Sequence, residues 1–573
     1  MSVIRQICIR NFRGIESLDW NPHPGLNCLI GPGDSGKSTI LDAIDLCLGA
    51  RRSYSFTDAD FFNSNVSNSL EIIITLGNLD DALKNLERYG DFLRGFNLAT
   101  RQLFDEPTQT LETVISIRLL VDRGLDPDWH LYSQRANDEG IEKRLPWNHR
   151  ELIAPTRLGE GNKHHFTWGR HSLLNKLAEE RLDVSALLSE ITRNARMSFA
   201  ENEIEGIQGV LANIQVVANR LGVPVDEMRA LLDVASITMS HGAVSLHDNN
   251  GTPIRQLGTG STRLLLAGLQ KLTSSSRLLL VDEAEYGLEP FRINRLLNEI
   301  GAKDEVPSQQ VFITTHSPYV LRELKADQLQ VMRKRGMVLF HPPFHESSHQ
   351  IFTMTNTNEH QSTLRVCAEA FLANKVIVCE GKTEIGLIRG IDQVESDQNR
   401  QSIQALGVMY ADGGGDSMFK RAKVFRELGY PVAIFKDSDK NAEQQAHINE
   451  ATQLAIPMFE WSNNYATEHA IFFCCPLDMI PQLLNFAVER KNSDAINTHI
   501  LNVSQQQFNL NICSENPQEA HRIILAQAAK SKEWYKDIAP MEELAKTLFW
   551  PNKDRFHTVF SSTLQNLLNW ARV

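Results

Sequence analysis

Short uninterrupted apolar runs alternate along this chain with stretches whose apolar residues recur every three or four positions, a pattern that predicts interleaved strands and helices. Residues 3–9 read as a strand. Leu26–Ile30 is a second apolar run, and beyond it Ile40, Leu41, Ile44, Cys47 and Leu48 fall on one face of a helix. Residues 70–76 and 111–121 predict two more strands, flanking a polar helical stretch around 80–93. From 173 to 232 the spacing is helical, carried by Leu173, Leu174 and Leu177, by Leu187, Leu188 and Ile191, and by Ile204, Ile207, Val210, Leu211 and Ile214. This predicts an inserted group of two or three helices, far too short for an extended coiled-coil arm, whose apolar faces serve either an internal core or a dimer surface. Strand character returns at 236–246, 277–281 and 311–315. A new domain begins near Leu364, with apolar runs at 376–379 and 431–435. The expected organisation is α/β, with a head built from residues 1–171 and 236–365 around a helical insertion at 172–235, and a second domain over 366–573.

The loop after the second apolar run, Gly31-Pro32-Gly33-Asp34-Ser35-Gly36-Lys37-Ser38, fits G-x-x-x-x-G-K-[ST] in the order strand, loop, helix. Gly31, Gly33 and Gly36 let the backbone curl so that N–H groups, including those of Asp34, Ser35 and Thr39, converge on phosphate oxygens at a helix N-terminus. Lys37 is positioned to reach the β- and γ-phosphates of ATP, and Ser38 to hold its Mg²⁺. The composition changes this picture little. The chain has 573 residues, enough for about three to four domains, and a net charge of −12, so a nucleic-acid surface has to be a local basic patch. Eight cysteines without a C-x-x-C pair read as reduced, buried thiols. With no apolar run approaching ~18 residues and no leader-like core in the first ten, a cytoplasmic protein without a membrane segment is expected.

Further pieces follow in order. Gln256-Leu257-Gly258-Thr259-Gly260-Ser261 is a small-residue turn opening a helix, suited to anion binding through Gly260. The apolar run ending in Asp282 and Glu283 delivers one carboxylate to a Mg²⁺ shell and the other to a hydrolytic water. Gly287-Leu288-Glu289-Pro290 comes next, and a later strand brings His316 toward a γ-phosphate. Arg10 and Arg13, after the first strand, are either a solvated turn or phosphate contacts. The ordered set resembles the ATP-binding heads of the SMC and DNA-repair ABC ATPases. That resemblance implies a signature segment acting on ATP held by a second subunit, and a water- or Mg²⁺-sensing position near Asp58 and Asp60. His341, His345 and His349 are read as a loop rather than a zinc site, because Pro342 and Pro343 break regular stacking.

The second domain carries its own chemistry. Glu380 ends an apolar run, and Glu384 follows four residues later across Gly381 and a predicted helix start. Asp437 and Asp439 end another run and, two apart, project to one side. Clustered carboxylates repel one another unless a divalent cation relieves them. Asp412-Gly413-Gly414-Gly415-Asp416 is a glycine turn that either approaches metal or phosphate or is a plain loop. A glutamate after one strand and D-x-D after another resembles the Toprim pattern. An ABC-type ATPase head followed by a Toprim α/β domain resembles the OLD (overcoming lysogenisation defect) family, which includes the Gabija nuclease subunit and retron-associated nucleases. The resemblance implies an ATP-regulated DNA endonuclease using two Mg²⁺ or Mn²⁺ ions, in anti-phage defence. Glu380, Glu384, Asp437, Asp439 and Glu468 would be the metal ligands, and Lys553 the late catalytic lysine, with Lys530, Lys532, Lys536 and Lys546 as competitors. It also implies DNA as partner, a homodimer or higher homo-oligomer, and a helicase-like or reverse-transcriptase partner. The rival from another class is a non-nucleolytic DNA clamp or repair protein with an inert Toprim domain. A topoisomerase lacks an evident tyrosine nucleophile here.

Overall fold

Three sheets organise the described residues of the computed structural model. Those residues are 2–51, 53–158, 166, 172–177, 185–201, 205–221, 245–272, 278–334 and 348–573. In chain order the strands are β1 (Val3–Phe12), β2 (Ile15–Trp20), β3 (Leu26–Ile30), β4 (Leu70–Gly77), β5 (Leu93–Phe96), β6 (Leu103–Phe104), β7 (Glu112–Val121), β8 (Pro127–Tyr132) and β9 (Thr156–Leu158). Later come β10 (Leu278–Val281), β11 (Gln310–Thr314), β12 (Leu329–Lys334), β13 (His349–Thr353), β14 (Lys375–Cys379), β15 (Val408–Asp412), β16 (Val432–Lys436) and β17 (Met458–Glu460).

An antiparallel sheet takes the order β2-β1-β4-β7-β5-β6, with β8 beside β7. The second sheet, β13-β12-β3-β11-β10-β9, is parallel except for the β12–β13 pair. Its strands β3, β10 and β11 are buried along their whole length, as continuous apolar runs in a covered parallel sheet require. The third sheet, β15-β14-β16-β17, is parallel throughout. The helix Lys37–Leu48 fills the space between the first two sheets with Ile40, Leu41, Ile44 and Leu48.

One apolar core runs without interruption from the parallel head sheet, through Val320, Leu364 and Phe371, into Val376, Ile434 and Phe425 of the second domain. The head and the second domain are therefore packed together as one body. The other face of the third sheet is covered by helices drawn from 467–573, where Trp461 stacks on Phe560 with ring centroids 5.1 Å apart.

Some expectations change. β1 continues to Phe12, so Arg10 is a strand residue; it forms an ion pair with Asp19. The stretch 80–93 forms only short turns of helix around Leu86–Tyr89. Of the predicted insertion, the helices Leu173–Leu177, Ser185–Glu201 and Glu205–Leu221 are described; 222–244, which hold most of the expected strand 236–246, lie outside the described residues, as do His341 and His345. His349 is buried in β13, where burial lowers its imidazole to about 4. Among the described residues no single helix is long and apolar enough to cross a membrane, and no disulfide forms.

Candidate active site

Two acidic centres stand at the C-terminal ends of parallel strands, where crossover connections leave loops free to hold ligands. At the first, the phosphate loop turns through Gly31 (φ +157°), Asp34 (φ +57°) and Gly36 (φ +92°). A Cβ on Gly31 would stand 2.6 Å from the Met332 carbonyl, so only glycine fits there. Gly33 and Asp34 are exposed at the loop tip, Ser35 is buried, and Thr39 lies half-buried in the first helical turn. Lys37 is itself buried, its Nζ donating to the carbonyls of Pro32 (2.9 Å) and Gly31 (3.1 Å). Burial lowers its pKa, against the pull of Asp34 and Asp282.

Strand order explains the next contacts. β11 lies between β3 and β10, so Asp282 comes beside the phosphate loop: its Oδ1 accepts from Ser38 Oγ (3.1 Å) and Thr314 Oγ1 (2.6 Å). Its Oδ2 pairs with Arg157 on β9 at 3.2 Å. Arg157 also holds Asp42 at 2.5 Å. Glu283 sits in the left-handed region (φ +48°) with its N–H on Thr314 and its side chain exposed. His316 is exposed at the end of β11, its N–H donating to Glu285. The Gly260 turn packs on the Gly287 turn so closely that a Cβ on Gly260 would stand 2.3 Å from the Gly287 carbonyl. Of the two readings for Arg13, neither a free turn nor an open phosphate contact describes it: it is engaged by Asp42 and Asp60. That pairing also occupies Asp60, leaving Asp58 exposed.

At the second centre, Glu380 follows β14 and accepts the Asp437 N–H at 2.9 Å, tying the ends of β14 and β16 together. Glu384 is buried in the first turn of the helix Lys382–Asp397, its Oε2 accepting the Gly381 N–H at 2.9 Å. Thr467 stands between two carboxylates, its Oγ1 lying 2.9 Å from Glu384 Oε1 and 2.8 Å from Asp437 Oδ1. The same hydroxyl accepts from Trp461 Nε1 at 2.9 Å. A hydroxyl has one hydrogen to donate, so the two carboxylate contacts are satisfied together only if a proton is held between them. Burial first, then the neighbouring charges of Glu384, Glu380 and Glu468, push the Asp437 carboxyl well above its ordinary value. Burial likewise raises Glu384 and Glu468. Asp439 forms an ion pair with Lys530.

The glycine turn after β15 proves to be a backbone support. Gly413 and Gly415 donate to the carbonyls of Cys379 (2.6 Å) and Glu380 (2.9 Å), and Asp416 accepts from Gln444. The lysine differs from the sequence choice. Lys553 lies over the Trp550 ring, whose Nε1 donates to Glu395 at the far end of the helix Lys382–Asp397. Eleven residues separate Glu395 from Glu384, about 16 Å along a helix. Lys530 pairs with Asp439 at this centre, and Asp437 and Glu468 stabilise its charge as well; Lys536 also lies near enough to act on Glu468. Sequence reasoning gave no role to Thr467, although it directly precedes Glu468, nor to Trp461 and Arg157, which stand outside the motifs.

Oxygen donors alone, mostly carboxylate and half-buried or buried, are chemically a set for a hard divalent ion. Among the described residues no three acidic, histidine or cysteine side chains already stand at coordinating distance of a common point, Thr467 being interposed between two of them.

Fold and centres together define a P-loop ATPase head joined to a TOPRIM domain. The chain belongs to the family described as "AAA domain, putative AbiEii toxin, Type IV TA system", matched over residues 26–322. Residues 371–439 match the family described as "Overcoming lysogenization defect protein-like, TOPRIM domain". A curated "OLD nuclease" from Thermus scotoductus is 23% identical over 367 residues, 58% of this chain and 62% of that protein, so the chain spans about three fifths of that relative's length. Among solved structures, an SMC head bound to the C-terminal winged-helix domain of ScpA is 16% identical, covering 61% of this chain and 98% of that one with a TM-score of 0.33. The C-terminal region of the OLD protein of Xanthomonas campestris pv. campestris is 14% identical, covering 35% and 95% respectively with a TM-score of 0.24.

Proposed function

We propose that this protein is a divalent-metal-dependent DNA endonuclease whose cleavage is controlled by ATP at the head. The observation that carries this reading is the gathering of Glu380, Glu384, Asp437 and Glu468 at the C-terminal ends of parallel strands, Glu384 buried and the other three half-buried, with Lys530 paired to Asp439 beside them. In an inert domain such a cluster would carry the cost of burying like charges with nothing to offset it. Glu380, Glu384, Asp437, Asp439 and Glu468 would hold Mg²⁺ or Mn²⁺, which when bound activates water and stabilises the leaving 3′ oxygen of a phosphodiester. Thr467 keeps Glu384 and Asp437 from collapsing together or splaying apart. Lys530, released from Asp439 when phosphate arrives, donates to the scissile group and stabilises its growing charge.

At the head, Lys37 exchanges its loop carbonyls for the β- and γ-phosphates of ATP, Ser38 and Asp282 hold the associated Mg²⁺, and Glu283 and His316 address the attacking water and γ-phosphate. The Gly260 turn would engage ATP across a homodimer. Helices Ser185–Glu201 and Glu205–Leu221 support that assembly by exposing Leu187, Met197, Val210 and Val216. The setting is cytoplasmic anti-phage defence, with a helicase-like or reverse-transcriptase partner. Supercoiled plasmid incubated with the protein and Mg²⁺ or Mn²⁺ is expected to be nicked or linearised, and Asp437→Ala to lose at least about 10³ in rate. Absence of cutting with and without ATP, or undiminished cutting by the variant, would overturn the reading.

A further inference from the structure

β12 separates the phosphate loop from the second domain, and successive residues on a strand face opposite ways. Met332 belongs to the core beneath the helix Lys37–Leu48. Its carbonyl would stand 2.6 Å from a Cβ on Gly31, and its Cε 3.3 Å from one on Gly36, so Met332 lines the back of the phosphate loop. Arg333, the next residue, faces the other way. Its side chain is completely buried. The guanidinium lies 3.5 Å from the centre of the Tyr430 ring and donates to the carbonyls of Ala373 and Asn374, each at 3.3 Å. Among the described residues its Nε has no hydrogen-bond partner, and burial lowers its pKa. The Tyr430 hydroxyl donates to the Phe371 carbonyl at 2.6 Å, which holds the ring in place.

These contacts fall at one end of the strands that form the acidic centre. Residues 373–374 lead directly into β14 and Tyr430 into β16, two parallel neighbours with Val376 opposite Val432. The same strands end in Glu380 and Asp437, about 20 Å away, joined by the Asp437 N–H bond. A fully buried guanidinium without a carboxylate is expensive, and a methionine of similar volume would fill the space at lower cost. What the arginine adds is geometry. Its planar fork fixes two carbonyls and one ring at once, so a displacement of β12 moves the starts of β14 and β16 with it instead of sliding past them.

We propose that Met332 and Arg333 carry the state of the phosphate loop across β12 to the acidic centre, with the Arg333–Tyr430 stack as the coupling element. The inference rests on the nuclease reading only for what the signal controls, because the coupling can be read without cleavage. Hydrogen exchange is followed in peptides covering 371–380 and 430–437, with and without ATP and Mg²⁺, in the wild type, Arg333→Met, Tyr430→Leu and Tyr430→Phe, each shown folded by its thermal transition. Nucleotide is expected to change exchange about fivefold or more in the wild type. Arg333→Met and Tyr430→Leu should lose that change while binding ATP within about twofold of wild type, and Tyr430→Phe, which keeps the ring, should retain most of it. A wild type that shows no change, or a Tyr430→Leu variant that keeps it, overturns the proposal even if Arg333→Met fails to fold. Plasmid cleavage measured alongside separates the two readings. Cutting without nucleotide-dependent exchange defeats the coupling alone, and coupled exchange without cutting defeats the nuclease alone.

Discussion

The two acidic centres differ in how their charge is balanced. In the head, Asp282 is met by Arg157, Ser38 and Thr314, and Asp42 by Arg157 and Arg13, so its carboxylates are compensated by the chain itself. In the TOPRIM domain, Glu384 and Asp437 flank a single threonine hydroxyl, and the paired lysine is spent on Asp439. A compensated carboxylate is ready before its ligand arrives. An uncompensated pair withdrawn from water is a standing electrostatic cost that a divalent cation relieves, so on the proposed reading the second centre would owe its metal affinity to the same repulsion that destabilises it without metal.

The largest effect is expected at the lysine. Lys530→Ala should slow single-turnover plasmid cleavage at saturating Mn²⁺ by about 10²–10³, the scale for losing one charge-stabilising donor, whereas Lys553→Ala should stay within about threefold of wild type. Equal losses would mean that the Asp439 pairing does not mark the working lysine. Thr467→Val keeps the shape and removes the hydroxyl, and should weaken divalent-ion binding, measured by calorimetry, about 10- to 100-fold, with Thr467→Ser restoring most of it.

The third test uses pH. Burial, with Glu380 and Glu468 adding to it, lifts the Glu384 carboxyl from 4.5 to about 7. Between those values the native state holds more protons than the unfolded chain, so this group's contribution to stability falls as pH rises through that window. In chelator, the stability of wild type relative to Glu384→Gln should drop by about 2 kcal/mol between pH 4.5 and 8, and saturating Mg²⁺ should abolish the drop. A pH-independent difference would show that Glu384 is not held under this strain.

Much of this was legible in the sequence because strand-end chemistry is local. Leu26–Ile30 leads straight into the phosphate loop, and Glu380 and Glu384, or Asp437 and Asp439, lie a few residues apart, each pair following its own apolar run. What pairs across the chain was not legible. Lys530 reaches Asp439 over 91 residues, and Arg157 reaches Asp282 over 125 from a three-residue strand too short to leave a periodic signal. Lys553 was chosen by its neighbourhood in the sequence, and packing sends it to Trp550 instead. Arg333 sits in a strand of mixed sequence that carries no motif, and its proposed role depends on a carbonyl pair and a ring supplied by the second domain. The antiparallel head sheet was seen only in its longer strands, since β5 and β6 span four and two residues.

Carboxylates that hold divalent ions in the TOPRIM domain should do so without nucleotide, where the head offers its ion no phosphate, and electron paramagnetic resonance of Mn²⁺ reads that binding. Wild-type protein should bind Mn²⁺ tightly, with Asp437→Asn and Glu384→Gln each weakening that binding at least tenfold and Lys37→Ala leaving it unchanged. Binding that is absent from the wild type, or unaltered in both carboxylate variants, would contradict the metal assignment.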